Sequence, residues 1–124
     1  MPSVDYFLSG DHEAARSLLA ETLQSQGFTV TPEATGQWTV ARGSQAMTVL
    51  FGGLAGSRQR LVYGVRFFDA EGRLVARFAR DPGTGLMGGA IGINRANAVF
   101  GELDTVVSAR LAAAGILTDA VRTA

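Results

Sequence analysis

A chain of 124 residues that is 47% hydrophobic and 18% charged carries enough apolar surface to offset the entropy of folding, which excludes a disordered polymer and fits one domain over residues 1–124. Eleven acids balance eleven bases, so no whole-molecule field draws in nucleic acid or an anionic membrane. The lack of cysteine excludes disulfides, thiolate nucleophiles and sulfur-ligated metal sites. All the bases are arginine and alanine and glycine abound, the usage of a GC-rich bacterial genome. The first residues have neither a basic n-region nor an apolar h-region, and no apolar run nears the about 20 residues that span a bilayer. A cytoplasmic protein without a membrane span is expected.

In chain order, residues 4–8 form a short β-prone stretch, and Asp11 then stands as the N-cap of a helix with Glu13 in its first turn. Ala15, Leu18, Leu19, Thr22 and Leu23 make one helical stripe, and Gly27 before Phe28 suits a left-handed C-terminal stop. Between Phe28 and Asp81 the period changes to two, with turn signals at 32–36, 43–44, 52–57 and 69–72 that divide the stretch into five strands. A Gly43-Ser44 turn places Trp38, Val40, Met47 and Val49 on one face, the core face. A four-residue loop at 69–72 pairs Phe67 with Leu74, Val65 with Ala76 and Tyr63 with Phe78. Asn94 or Asn97 caps a second helix, with Phe100, Leu103, Val107, Leu111 and Ala114 along one side and Gly115 closing it.

The pattern predicts an α+β two-layer sandwich: an antiparallel five- or six-stranded sheet with two helices on one face, in the order β-α-β-β-β-β-β-α. Two helices cannot cover both faces of such a sheet. Following the hairpins up and down brings the loops at 32–36, 52–57 and 83–93 to one end, where the second helix also starts.

No residue pattern points to catalysis. His12, the sole histidine, lies between Asp11 and Glu13, and consecutive helical residues do not face one another, so neither acid can orient its ring. No second histidine or paired-carboxylate motif supplies a metal site, no serine stands in a nucleophile elbow, and no cofactor is implied. Gly83, Gly85 and Gly88 match the spacing of a dinucleotide fingerprint, but the parallel βαβ unit and the distal acid it needs are missing. Gly88 and Gly92 make a Gly-x-x-x-Gly spacing in a segment too short to span a membrane.

Two binding readings remain. In the first, a non-enzymatic binding or assembly domain self-associates, as a homodimer, or takes a protein partner through the open sheet face. Thr39, Ala41, Ala46, Thr48, Leu50, Val62, Gly64, Phe68, Val75 and Ala79 make that face small and apolar, and Arg66 and Arg77 suit an interface. Thr48, Leu50, Val62, Arg66, Phe68, Val75 and Arg77 are its candidate contact residues. In the alternative, a small phosphate-like anion binds a glycine-rich pole at residues 82–95, held by Gly83, Gly85, Gly88 and Gly89 with Arg58, Arg80 and Arg95. Nucleic acid ranks third: residues 58–81 carry six arginines against three acids, with few aromatic stackers beside them.

Overall fold

In the computed structural model the described residues are 2–43, 61–80 and 89–123, with the backbone alone for 89–96. Strand β1 (Ser3–Leu8) alternates strictly, burying Val4, Tyr6 and Leu8. Helix α1 (His12–Ser25) opens where expected: the Asp11 side chain accepts from the Ala14 N–H at 2.9 Å, satisfying one of the orphan donors of the first turn. It buries Ala15, Leu19, Thr22 and Leu23, and the buried Thr22 hydroxyl donates to the Leu18 carbonyl at 2.7 Å. Gly27 at φ +86° reverses the chain, with the Phe28 N–H returning to the Leu23 carbonyl at 3.2 Å.

Strands β2 (Thr29–Pro32), β3 (Trp38–Arg42), β4 (Leu61–Ala70) and β5 (Arg73–Arg80) follow, then helix α2 (Gly89–Ala113) and strand β6 (Leu117–Thr123). The fold is α+β: a six-stranded antiparallel sheet in the order β2-β3-β4-β5-β1-β6. Both helices lie on the face that carries Val4, Tyr6, Val40, Tyr63, Val65 and Phe78, and one buried cluster joins these to Leu19, Leu23, Phe100, Leu103, Val107 and Leu111. Its aromatic spine runs from Phe28 to Tyr63 (5.8 Å between ring centroids), Tyr63 to Phe78 (5.5 Å) and Phe78 to Phe100 (4.7 Å, stacked at 6°). Trp38 shares that face but is half-buried at its margin, edge-on to Phe67 at 4.7 Å.

Four expectations are corrected. The β4–β5 register places Phe67 opposite Ala76 and Val65 opposite Phe78, two residues from the expected pairing. The cause is a tight turn rather than a four-residue loop: Ala70 pairs with Arg73, and Glu71 (φ 55°) and Gly72 (φ 84°) both take left-handed backbone. Because the shift is even, every side chain keeps its face. Second, α2 begins at Gly89, so Asn94 and Asn97 lie within it and residues 89–93 are helix, not loop; a glycine costs a helix only about 1 kcal/mol, which adjoining good helix formers offset. Third, the chain continues past α2 into β6, which pairs with β1. Fourth, β3 and β4 are direct neighbours, so Arg42, Leu61 and Arg80 sit at one end of the sheet while residues 33–36 lie at the other, beside the Glu71-Gly72 turn. The expected strand through Met47 and Val49 falls outside the described residues.

Glu71 is a poor occupant of a position that asparagine and glycine favour. Glu71→Asn is expected to stabilise the hairpin by about 0.5–1 kcal/mol, read as a higher urea midpoint; a lower midpoint would assign the Glu71 side chain a role in the native state.

Candidate functional site

The face of the sheet turned away from the helices is built in cross-strand rows. Thr39, Gly64, Ala79 and Ser3 form a row of small residues over β3, β4, β5 and β1. The next row is Arg66, Arg77, Asp5 and Val121, and the third is Phe68, Val75, Phe7 and Asp119. Val62 and Val75 lie on this face but are buried, Val75 between its cross-strand neighbours Phe7 and Phe68; Phe68 is 42% and Val121 48% exposed.

At the small-residue row the face dips into a cleft of about 220 Å³ lined by Thr39, Gly64 and Ala79, by Arg66, Arg77 and Arg80, and by Trp38, Gln37 and Glu33. Gly64 opens it. Its φ is not left-handed, and a Cβ built there would meet nothing nearer than the Trp38 carbonyl oxygen at 3.8 Å, an ordinary contact. A glycine in a strand interior costs about 0.5–1 kcal/mol relative to alanine, and here neither backbone conformation nor crowding requires it.

The arginines differ in state. Arg77 donates from Nε to Asp5 Oδ1 at 2.8 Å and from Nη2 to Asp5 Oδ2 at 3.1 Å, and its guanidinium lies 4.9 Å from the Phe68 ring centroid. Arg66 stands directly opposite Arg77, a like-charge pairing that destabilises a sheet. It is exposed, and among the described residues no carboxylate lies within ion-pair distance of it. Glu33, the acid in the lining, accepts the Thr39 hydroxyl at 2.8 Å.

Arg66 and Gln37 also line a second, adjoining cleft of about 340 Å³ beyond the β2–β3 turn, walled by Phe67 and Phe68 and by Arg16. Arg16 is paired with Glu13 at 2.6 Å and sits 5.2 Å over the Phe67 ring. The two hollows therefore share Arg66, which has no ion pair among the described residues, with polar groups at one end and aromatic walls at the other.

A separate polar network joins β1, α2 and β6. The buried Tyr6 hydroxyl donates to Asp104 Oδ1 at 2.7 Å, Ser108 Oγ donates to the same oxygen at 3.0 Å, and Arg122 Nε donates to Asp104 Oδ2 at 2.6 Å. Burial, then the bond to Asp104, pushes the Tyr6 hydroxyl far above its ordinary pKa. For Asp104 burial is the largest influence and acts upward, but the bonds from Arg122, Tyr6 and Ser108 and the charge of Arg122 together hold it below the usual carboxylate value. Each member is satisfied by another, which suits a brace between elements. His12 Nε2 lies 3.1 Å from the Gly72 carbonyl oxygen, tying α1 to the hairpin, and among the described residues no group of three histidine or acidic side chains could hold a metal ion.

Of the expected interface residues, Val62, Arg66, Phe68, Val75 and Arg77 share the outer face, while Thr48 and Leu50 lie outside the described residues. Of the expected anion pole, Gly83, Gly85, Gly88 and Arg58 lie outside them as well. Gly89 is the first residue of α2, Arg95 is inside that helix, and Arg80 ends β5 on the core face. Sequence reasoning assigned Gly64 to the face without giving it a role, although a glycine inside an alternating strand is itself a signal of close approach. It missed the Tyr6–Asp104–Arg122 network, for which no local pattern exists.

No family model matches the chain, and no curated protein matches it in sequence. No helix among the described residues is long and apolar enough to cross a membrane.

Proposed function

We propose that this chain is a small non-enzymatic binding and assembly domain, working in the bacterial cytoplasm, that covers the outer face of its sheet with a second copy of itself. The observation that carries the reading is the exposure of Phe68 and Val121 on a face that neither helix covers. Large apolar side chains left exposed on an uncovered sheet face suit an association site. Its charges are sorted in a way that suits self-pairing: Arg66 and Arg73 are exposed on β4 and β5, and Asp119 is exposed on β6. A two-fold axis along the strands brings the basic half of one copy over the acidic half of the other, with the Phe68–Val75–Phe7 row between them.

Light scattering over a range of micromolar concentrations tests this. A dimer is expected, and Phe68→Ser should weaken it at least tenfold, the cost of removing one well-packed aromatic at a small interface. A monomer at every concentration, or a dimer indifferent to Phe68→Ser, would overturn the reading.

A further inference from the structure

The cleft at Gly64 has features that pairing of two copies through the Phe68 row does not use. A central strand gives up a side chain at a position where a Cβ has room and the backbone is ordinary. The outcome of that omission is the hollow itself, lined by Gly64 between Thr39 and Ala79. Beside it two arginines are cross-strand partners on β4 and β5, Arg77 bound bidentate to Asp5 and Arg66 without an ion pair among the described residues. An anion seated there offsets this like-charge pairing.

We propose that the paired clefts around Arg66 form a binding site for a small organic monocarboxylate with an apolar body. The charge balance selects a single negative charge. With their ion-pair partners, the linings carry Arg16, Arg66, Arg77 and Arg80 against Glu13, Asp5 and Glu33, a balance of one positive charge, and of these Arg66 is the exposed guanidinium common to both clefts. A planar carboxylate matches the fork of Arg66, with Arg77 close by and held in place by Asp5. Glu33 in the lining and Asp5 behind Arg77 disfavour a doubly charged phosphate. The body of the ligand lies toward the second cleft, against Phe67 and Phe68, and Gln37, common to both hollows, offers an amide for orientation. The inference does not rest on self-association and competes with it for one face: the site needs the Thr39–Gly64–Ala79 row and Arg66 open, so ligand binding belongs to the monomer or to copies that leave this row uncovered.

The test is amide chemical-shift mapping on the full chain with four probes: benzoate, benzamide, acetate and inorganic phosphate. Benzoate should give saturable shifts at Thr39, Gly64, Phe68 and Ala79, with benzamide, acetate and phosphate each at least tenfold weaker. Arg66→Gln should weaken benzoate at least tenfold, while Arg110→Gln, on the last turn of α2, should not. Gly64→Val should abolish binding and raise the melting temperature, because it fills the cleft with a residue that strands favour. Gly64→Ala should bind more weakly than the wild type and keep a native spectrum, so a loss of binding in the valine variant is not misread as a loss of fold. Absence of saturable benzoate shifts, undiminished binding in Gly64→Val or Arg66→Gln, or phosphate binding as tightly as benzoate would each overturn the proposal. Light scattering on the same samples separates the two ideas: a monomer that binds benzoate removes self-association alone, and a dimer that ignores it removes the ligand site alone.

Discussion

Replacement of Phe78 by alanine is expected to destabilise the fold by about 3–5 kcal/mol, a large part of the 5–15 kcal/mol typical of a domain. Phe78 is 1% exposed and is the point where the sheet grips the second helix. Its ring stacks on Phe100 of α2 and touches Tyr63 of β4, and it has Val4 and Val65 as cross-strand neighbours. The truncation therefore leaves a hollow bordered by four elements, none of which can close it without leaving its other contacts. Urea unfolding followed by circular dichroism measures the loss; a cost under about 1 kcal/mol would mean that α2 does not rest on this ring.

Replacement of Asp104 by alanine should cost about 2–3 kcal/mol at neutral pH, since it leaves the buried Tyr6 hydroxyl without its acceptor and frees the Arg122 edge of β6. The loss should depend on pH in a defined direction. Asp104 is held below its ordinary value of 3.8 in the folded state, so its contribution is complete above the range in which the unfolded carboxylate titrates and is lost as pH falls through the folded value. Wild type and variant should converge in acid and differ most near neutrality. At the alkaline limit the sign belongs to Tyr6, whose folded value is raised from 10.0. The unfolded chain releases that proton first, so stability declines above about pH 10, less so in Tyr6→Phe. A wild-type-to-Asp104→Ala gap that is the same at pH 3 and pH 7 would remove the ionised carboxylate from the account.

How much was legible in the sequence follows from what each feature depends on. Helix α1 was legible to its ends because Asp11 and Gly27 are local signals with local causes. The two faces of β4 and β5 were legible because alternation survives an even register error, whereas the register itself was not, since Glu71 carries no mark of a left-handed turn residue. Strand β6 was invisible for a related reason: it is a mostly exposed edge strand, so Leu117–Thr123 shows no apolar alternation. The glycines at 89 and 92 read as loop and belong to a helix. For the candidate site, the residue types of the outer face could be collected from the sequence, but Arg66 against Arg77 needs the register, and the hollow at Gly64 needs the neighbouring strands in place. Tyr6, Asp104 and Arg122 meet only in three dimensions.

The position of β1 between β5 and β6 has a consequence for the order in which the chain assembles. β1 is made before both strands it pairs with and has no lasting partner until much later: Asp5 waits 72 positions for Arg77, Tyr6 waits 98 for Asp104, and the Phe7 carbonyl waits 111 for the Thr118 hydroxyl. Hairpins such as β4–β5 close early and cheaply, because little loop entropy is lost. The N-terminal strand must instead be threaded late into a slot flanked by the last strand of the first meander and the final strand of the chain. During synthesis β1, with its apolar side chains Val4, Tyr6 and Leu8, thus stays unpaired until β5 has been made, the interval in which strand-edge aggregation competes with folding.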